Sequence, residues 1–516
     1  MIAPVEARLD AQFSDAIDVS IANVDVVVLD RTGKLVRGLT PEDFEILEEG
    51  KRQEITHFAA YSSEPDVVLP GTLSIDASAP TRPPAKPRLL AVFIDVSDID
   101  PNERQRFFTA LRTFVRDQWR PGDYGTILLW TSRVREIVPL THDFNAVDVV
   151  LAALEFPRLV SDWSVIEEMA EQRLLEVARN PEVYDLDQER AYDERIRMEQ
   201  QCSISTRKFR SLRGLVASLA AHDLQKTLIL ASDSMSLRPA PTCLLRDEME
   251  EVATTANAHG VTIHAIHPPG TRVRYASAMK RGLPATRDPA PGAGEGGRTV
   301  SEIEGLSLVA ARTGGTLASG PHDVERMLPQ IADHLDNYYS LAYRMQPGTT
   351  DEPRPIRVRT KNRAYKVFAR QSVVLLSDDS RIRDAVIANA YAPAGASGRV
   401  PVGLKITSAI RDGRNVRIGV EVSAPMSAVT GLPGADGTER GAFTIWATSG
   451  RAPGDAAEVS RQEVPFAFPA GATASEEAIQ YRFEMVLRRG TPRVSIGFRD
   501  ETSKDFGLAT IEVPSI

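Results

Sequence analysis

The spacing of apolar residues changes twice along the chain, and each change marks a different kind of element. Residues 18–30 (DVSIANVDVVVLD) alternate toward strand, Asp30 to Gly33 makes a turn, and Lys34–Val36, 43–50 and 52–61 continue as short strands. Residues 63–86, rich in Pro, Ser and Ala, predict a linker. From residue 87 strands and helices alternate. Strand 88–95 leads into a helix in which Asp100 can cap and Pro101 suits the first turn. Strands 124–131 and 134–141, helices 144–154 and 207–221, strand 227–232, helix 245–258, strand 261–267, helix 301–313, strand 315–319 and helix 321–336 follow. This alternation predicts an α/β domain, a doubly wound parallel sheet covered on both faces.

Two insertions interrupt the alternation. Residues 161–204 are dense in Glu, Arg and Gln with apolar residues at helical spacing, and predict two solvated helices divided by Pro181. Residues 268–300 are rich in Pro, Gly and Arg and read as a loop. Beyond residue 400 the pattern is strand and turn only, which predicts a β-sandwich of about seven strands. The division is a tail at 1–16, a β segment at 17–62, the linker at 63–86 and the α/β domain at 87–336. A second β segment at 337–376, a tether at 377–399 with a short helix, and the sandwich at 400–516 complete it. Each β segment alone offers too few strands for a core, so 17–62 and 337–376 are expected to pair into one unit into which the α/β domain is inserted. Contacts of Val26–Val28 with the strands at 355–374 are the expected sign.

Composition narrows the function classes. A net charge of -9 leaves no electrostatic footprint for nucleic acid. No segment reaches the ~18–20 apolar residues of a spanning helix. The first residues lack a basic stretch followed by an apolar one, so the chain reads as soluble, without a signal peptide. Cys202 and Cys243 are the two cysteines, with no CxxC or Cys/His cluster, and read as two free, partly buried thiols.

Two apolar strands end in carboxylates. Leu89–Ile94 runs into Asp95, Ser97, Asp98 and Asp100, and Thr227–Ala231 runs into Ser232, Asp233 and Ser234. In open α/β sheets ligands bind at the carboxyl ends of strands. Carboxylates flanked by hydroxyls suit a hard cation better than a nucleophile.

These segments, with ANVDVVVLDRTGKLVRGLTPEDFEILEEGKRQEITHF, NAHGVTIHAIHP, LSLVAARTGGTLAS and the closing YYSLAYRM and PIRVRTKNRAYKVFAR, resemble the von Willebrand factor type A family. More closely they are similar to the bacterial proteins described as von Willebrand factor A-related, over most of residues 17–375. The resemblance implies a metal-ion-dependent adhesion site built from D-x-S-x-S, a loop Thr and a late Asp. It would hold Mg2+ or Mn2+ with an open position for a protein partner's acidic residue. Asp95 and Ser97 match the first two positions and Asp233 the late Asp. Ile99 stands at the third and cannot ligate, although Asp98 and Asp100 flank it, and only Ser161 or Ser164 is offered in place of the Thr. The implied site is therefore degenerate. The family is usually exported, to periplasm or exterior, which for this chain would require an upstream signal.

Enzyme signatures are missing. Asp95-Val96-Ser97 lacks the second Asp of a D-x-D phosphatase, and there is no G-x-S-x-G elbow or P-loop. His264 and His267 on one strand read as satisfied histidines, and Gly314-Gly315 as a helix C-cap. The expected function is non-enzymatic protein binding or adhesion at the Asp95 crevice. A structural scaffold with a vestigial site and a hydrolase using the same carboxylates are the alternatives.

Overall fold

The computed structural model describes residues 20–514 apart from 63–86, 96–100, 156–185, 269–294, 451–458, 472–476 and the short stretches 132, 223, 320, 347, 392–394, 435, 470 and 491–492. At its centre lies a six-stranded sheet. Arg88–Asp95 is flanked by Tyr124–Trp130 and Gln225–Ser232, followed outward by Val261–His267 and Leu317–Ser319, all parallel. Val134–Thr141 closes the other edge and runs antiparallel to Tyr124–Trp130, so the sheet is mixed rather than wholly parallel. The reason is the connection. Only residues 131–133 separate the two strands, enough for a hairpin turn and far short of the dozen or so residues a parallel crossover needs.

Alternate residues of Arg88–Asp95 feed two cores. Leu89, Ala91 and Phe93 pack beneath Leu212 and Leu215, Val252 and Ala256, and Leu306 and Val309. Val92 and Ile94 pack against Phe108 and Leu111, Leu151, and Leu328 and Ile331. Helices therefore cover both faces, which is why these strands read as unbroken apolar runs.

The first of those layers contains a difference from the sequence reading. A single helix, Leu186–Ser218, runs 33 residues from the charged insertion into the segment expected to start at 207. The first half of the insertion, including Ser161, lies outside the described residues.

The strands on either side of the α/β part share two four-stranded sheets. Ile21–Leu29 lies between Tyr338–Arg344 and Lys366–Ala369, with Val26, Val27 and Val28 opposite Ala369, Phe368 and Val367. Phe44–Glu48 pairs with Pro353–Thr360 in the second sheet. Val24, Val26, Ile46, Leu341 and Tyr343 fill the space between them.

The strands from Gly395–Gly398 to Phe506–Glu512 form a three-stranded and a larger antiparallel sheet. They face each other across Ile418, Val420, Val422, Phe443, Ile445, Ile496 and Phe498. The short helix expected within the tether spans Asp378–Asn389, capped by the Ser377 hydroxyl. It is packed rather than free. Asp384 meets His259 of the α/β part at 2.8 Å, and Asn389 donates to Thr510 in the sandwich at 2.6 Å.

Candidate functional site

The parallel register carries Asp95 and Ser232 to the same height at the carboxyl edge of the sheet. The Asp233 amide donates to the Asp95 carbonyl at 2.9 Å, extending the ladder one residue beyond the strands. His267 ends the neighbouring strand, and its Nδ1 donates to the Ser232 carbonyl at 3.2 Å. Burial holds the His267 imidazole below its usual pKa, and a neutral ring with Nδ1 protonated satisfies that bond. Four of the chain's strands thus converge on one edge, with Ser319 beside His267.

Asp95 is only 4% exposed. An isolated ionised carboxylate in such a place carries a large desolvation penalty, so it must be paired or neutral. Its Oδ2 accepts from the Ser232 hydroxyl at 2.8 Å and is ion-paired with the Lys208 ammonium. Lys208 also donates to the Ser234 carbonyl at 3.1 Å, and is itself buried. One ammonium therefore ties the ends of both Asp-tipped strands. Ser232 is completed by the Ser234 amide, which donates to its hydroxyl at 3.3 Å.

Lys208 is the residue of this edge that sequence reading missed, and a signal for it exists. Ile204, Lys208, Leu212 and Leu215 recur at helical spacing, and Leu212 and Leu215 are fully buried. A lone lysine in an apolar stripe that faces a sheet has to find an anion.

The expectation of two free thiols is overturned. Cys202 and Cys243 form a disulfide with Cα atoms 5.8 Å apart. A separation of 41 residues carries no sign of proximity, and the fold creates it. Cys202 precedes Lys208 on the same helix, and Cys243 lies in the loop that follows Asp233 and Ser234. The bond thus fastens the helix bearing Lys208 to the loop that Lys208 binds.

Of the residues expected to hold a cation, Asp95 and Asp233 come together at this edge. Ser97, Asp98, Asp100 and Ser161 lie outside the described residues. The residues described do not fit a divalent ion at Asp95. The Asp95 Oδ2 already holds an ammonium and a hydroxyl, so a divalent ion would have to share the carboxylate with Lys208. Two unit charges 4 Å apart interact by about 4 kcal/mol at an effective dielectric of 20, and a dication doubles that repulsion against Lys208. Among the described residues no cluster of three or more His, Cys, Asp or Glu side chains suited to a metal forms elsewhere. None of the described helices is long and apolar enough to cross a membrane.

No protein-family model and no curated protein matches the chain. Solved structures do. Proximal thread matrix protein 1 from the mussel byssus is 14% identical over 51% of this chain, with a TM-score of 0.26, and the chain spans about half, 49%, of that protein. A von Willebrand factor type A protein from Catenulispora acidiphila is 10% identical, covering 92% of this chain and 72% of its own, with a TM-score of 0.24. The manganese-loaded TRAP protein of Plasmodium vivax is 12% identical, covering 56% of this chain and 93% of its own, also at 0.24.

Proposed function

We propose that the chain is a non-enzymatic protein-binding protein of the adhesion type, built around a doubly wound type A domain. It engages a protein partner at the carboxyl edge of the six-stranded sheet. The observation that carries this reading is the state of Asp95, buried and neutralised by Lys208. A hydrolase would need that carboxylate free as nucleophile or base within reach of substrate. Here it has neither the exposure nor a spare proton-accepting role. Asp233 and Ser234 beside it are half-buried and form the part of the edge a partner can reach. The disulfide favours an oxidising, exported setting. A scaffold reading draws on the helix Asp378–Asn389, which bonds to the α/β part and the sandwich at once.

The test couples capture to hydrolysis. Envelope proteins of the source cells are passed over immobilised wild type, Asp233→Arg and Asp412→Arg, the last an exposed hairpin control. Capture that is lost in Asp233→Arg and kept in Asp412→Arg is expected. Ester, amide or phosphate hydrolysis that disappears in Asp95→Asn would overturn the reading in favour of an enzyme.

A further inference from the structure

We infer that Lys208 is the resident cation of this edge, a covalently attached positive charge standing where a divalent ion would otherwise neutralise Asp95. The inference deepens the binding reading above but rests on the geometry of the edge and not on any partner. Three observations carry it. The Lys208 ammonium bonds to the Asp95 carboxylate and to the Ser234 carbonyl, so it bridges the ends of two parallel strands as a bound ion would. Both side chains are buried, with 11% and 5% of the Lys208 and Asp95 side chains exposed, so bulk water does not screen the pair. The helix that delivers Lys208 is anchored less than two turns earlier by the Cys202–Cys243 bond, to the loop that follows Ser234.

A lysine differs from a bound ion in two physical respects. Its charge cannot leave, so the edge stays assembled whatever the cation concentration. It also has no open coordination position, so it cannot share a partner's carboxylate through metal. Partner recognition at this edge is therefore direct, through groups such as Asp233, and insensitive to chelators.

The test is a stability cycle on the full chain, with Lys208→Met, Asp95→Asn and the double variant. Lys208→Met keeps the stem of the side chain and removes the charge, leaving a buried carboxylate with the Ser232 hydroxyl but no counter-charge. Its unfolding midpoint is expected to fall by roughly 10 °C. Asp95→Asn in the Lys208→Met background removes the orphaned charge and is expected to recover most of that loss. A Lys208→Met chain that does not fold, while the double variant does, supports the inference equally. It is overturned if Lys208→Met is as stable as wild type, or if the double variant is as damaged as Lys208→Met or fails to fold, since the lysine then acts through its packing alone. An Asp95-dependent rise of the wild-type midpoint in millimolar MnCl2 over EDTA would also overturn it, because a ligand that binds the native state must stabilise it. None of these readouts involves a partner, so a failed capture experiment leaves them intact.

Discussion

Replacing both Cys202 and Cys243 by serine removes a cross-link across a separation of 41 residues. The closed loop contains most of the buried face of the helix Leu186–Ser218 and the whole of the strand Gln225–Ser232. In the chain-entropy treatment a loop of that length restricts the unfolded ensemble by about 4 kcal/mol at 25 °C. Domains of this kind are stable by only about 5–15 kcal/mol, so the bond is a major share of the total. For a domain of 150–250 residues the corresponding drop in unfolding midpoint is roughly 8–16 °C. Urea unfolding of wild type and Cys202→Ser/Cys243→Ser, followed by tryptophan emission, reads it directly. Trp130 reports on the relevant layer, being buried with Phe209 and Leu212. Wild type reduced with dithiothreitol should unfold with the double variant rather than with the oxidised protein. A loss under about 1 kcal/mol, outside the ~2–4 kcal/mol usual for a native disulfide, would refute the reasoning. It would mean that the loop is already restricted without the bond.

Three further outcomes follow from the packing. Gly315→Ala places a Cβ 2.0 Å from the Ile263 carbonyl oxygen, where backbone cannot yield, so the soluble fraction and melting midpoint of the variant should both drop sharply. Leu212→Ala opens a cavity in the layer beneath the disulfide-anchored helix and should cost about 2–5 kcal/mol in urea unfolding. Burial lowers the pKa of His264 to about 3 and of His334 to about 4, both below the usual value for a free histidine. Both are neutral in the folded chain above about pH 6.5, and the stability this contributes is lost as pH falls from there to about 4 for His334 and about 3 for His264. Each contributes a slope of up to about 1.4 kcal/mol per pH unit, so His334→Phe should flatten the loss of stability between pH 6 and 4.

The strand ending in Asp95 is legible in the sequence because an unbroken apolar run that stops in carboxylates fits little besides a buried strand opening on a sheet edge. Its position between two helical layers follows from the alternation downstream. The pairing of Val26–Val28 with residues 367–369 is legible by a different route, since neither flank has enough strands to close a core. The direction of the edge strand Val134–Thr141 does not show in its periodicity, which is the same for parallel and antiparallel pairing; the short connection at 131–133 does carry it. The helix Leu186–Ser218 is divided in the sequence reading between the insertion ending at 204 and the helix starting at 207, where Ser205 and Thr206 interrupt the pattern. In the structure Thr206 instead donates its hydroxyl to the Cys202 carbonyl one turn back and the helix continues. The apolar stripe around Lys208 shows in the sequence, but the anion it meets does not, and nothing in the spacing of Cys202 and Cys243 shows their bond. Both depend on where that helix lands against the sheet, which is a property of the tertiary packing.

The central claim is that the charge facing Asp95 belongs to the chain. Calorimetric titration of the metal-free wild type with Mn2+, against Asp95→Ala and Asp233→Ala, tests it most directly. The account predicts no saturable heat in wild type that either substitution removes. Saturable binding at one site per chain, abolished by Asp95→Ala, would contradict it and return the edge to a metal ion.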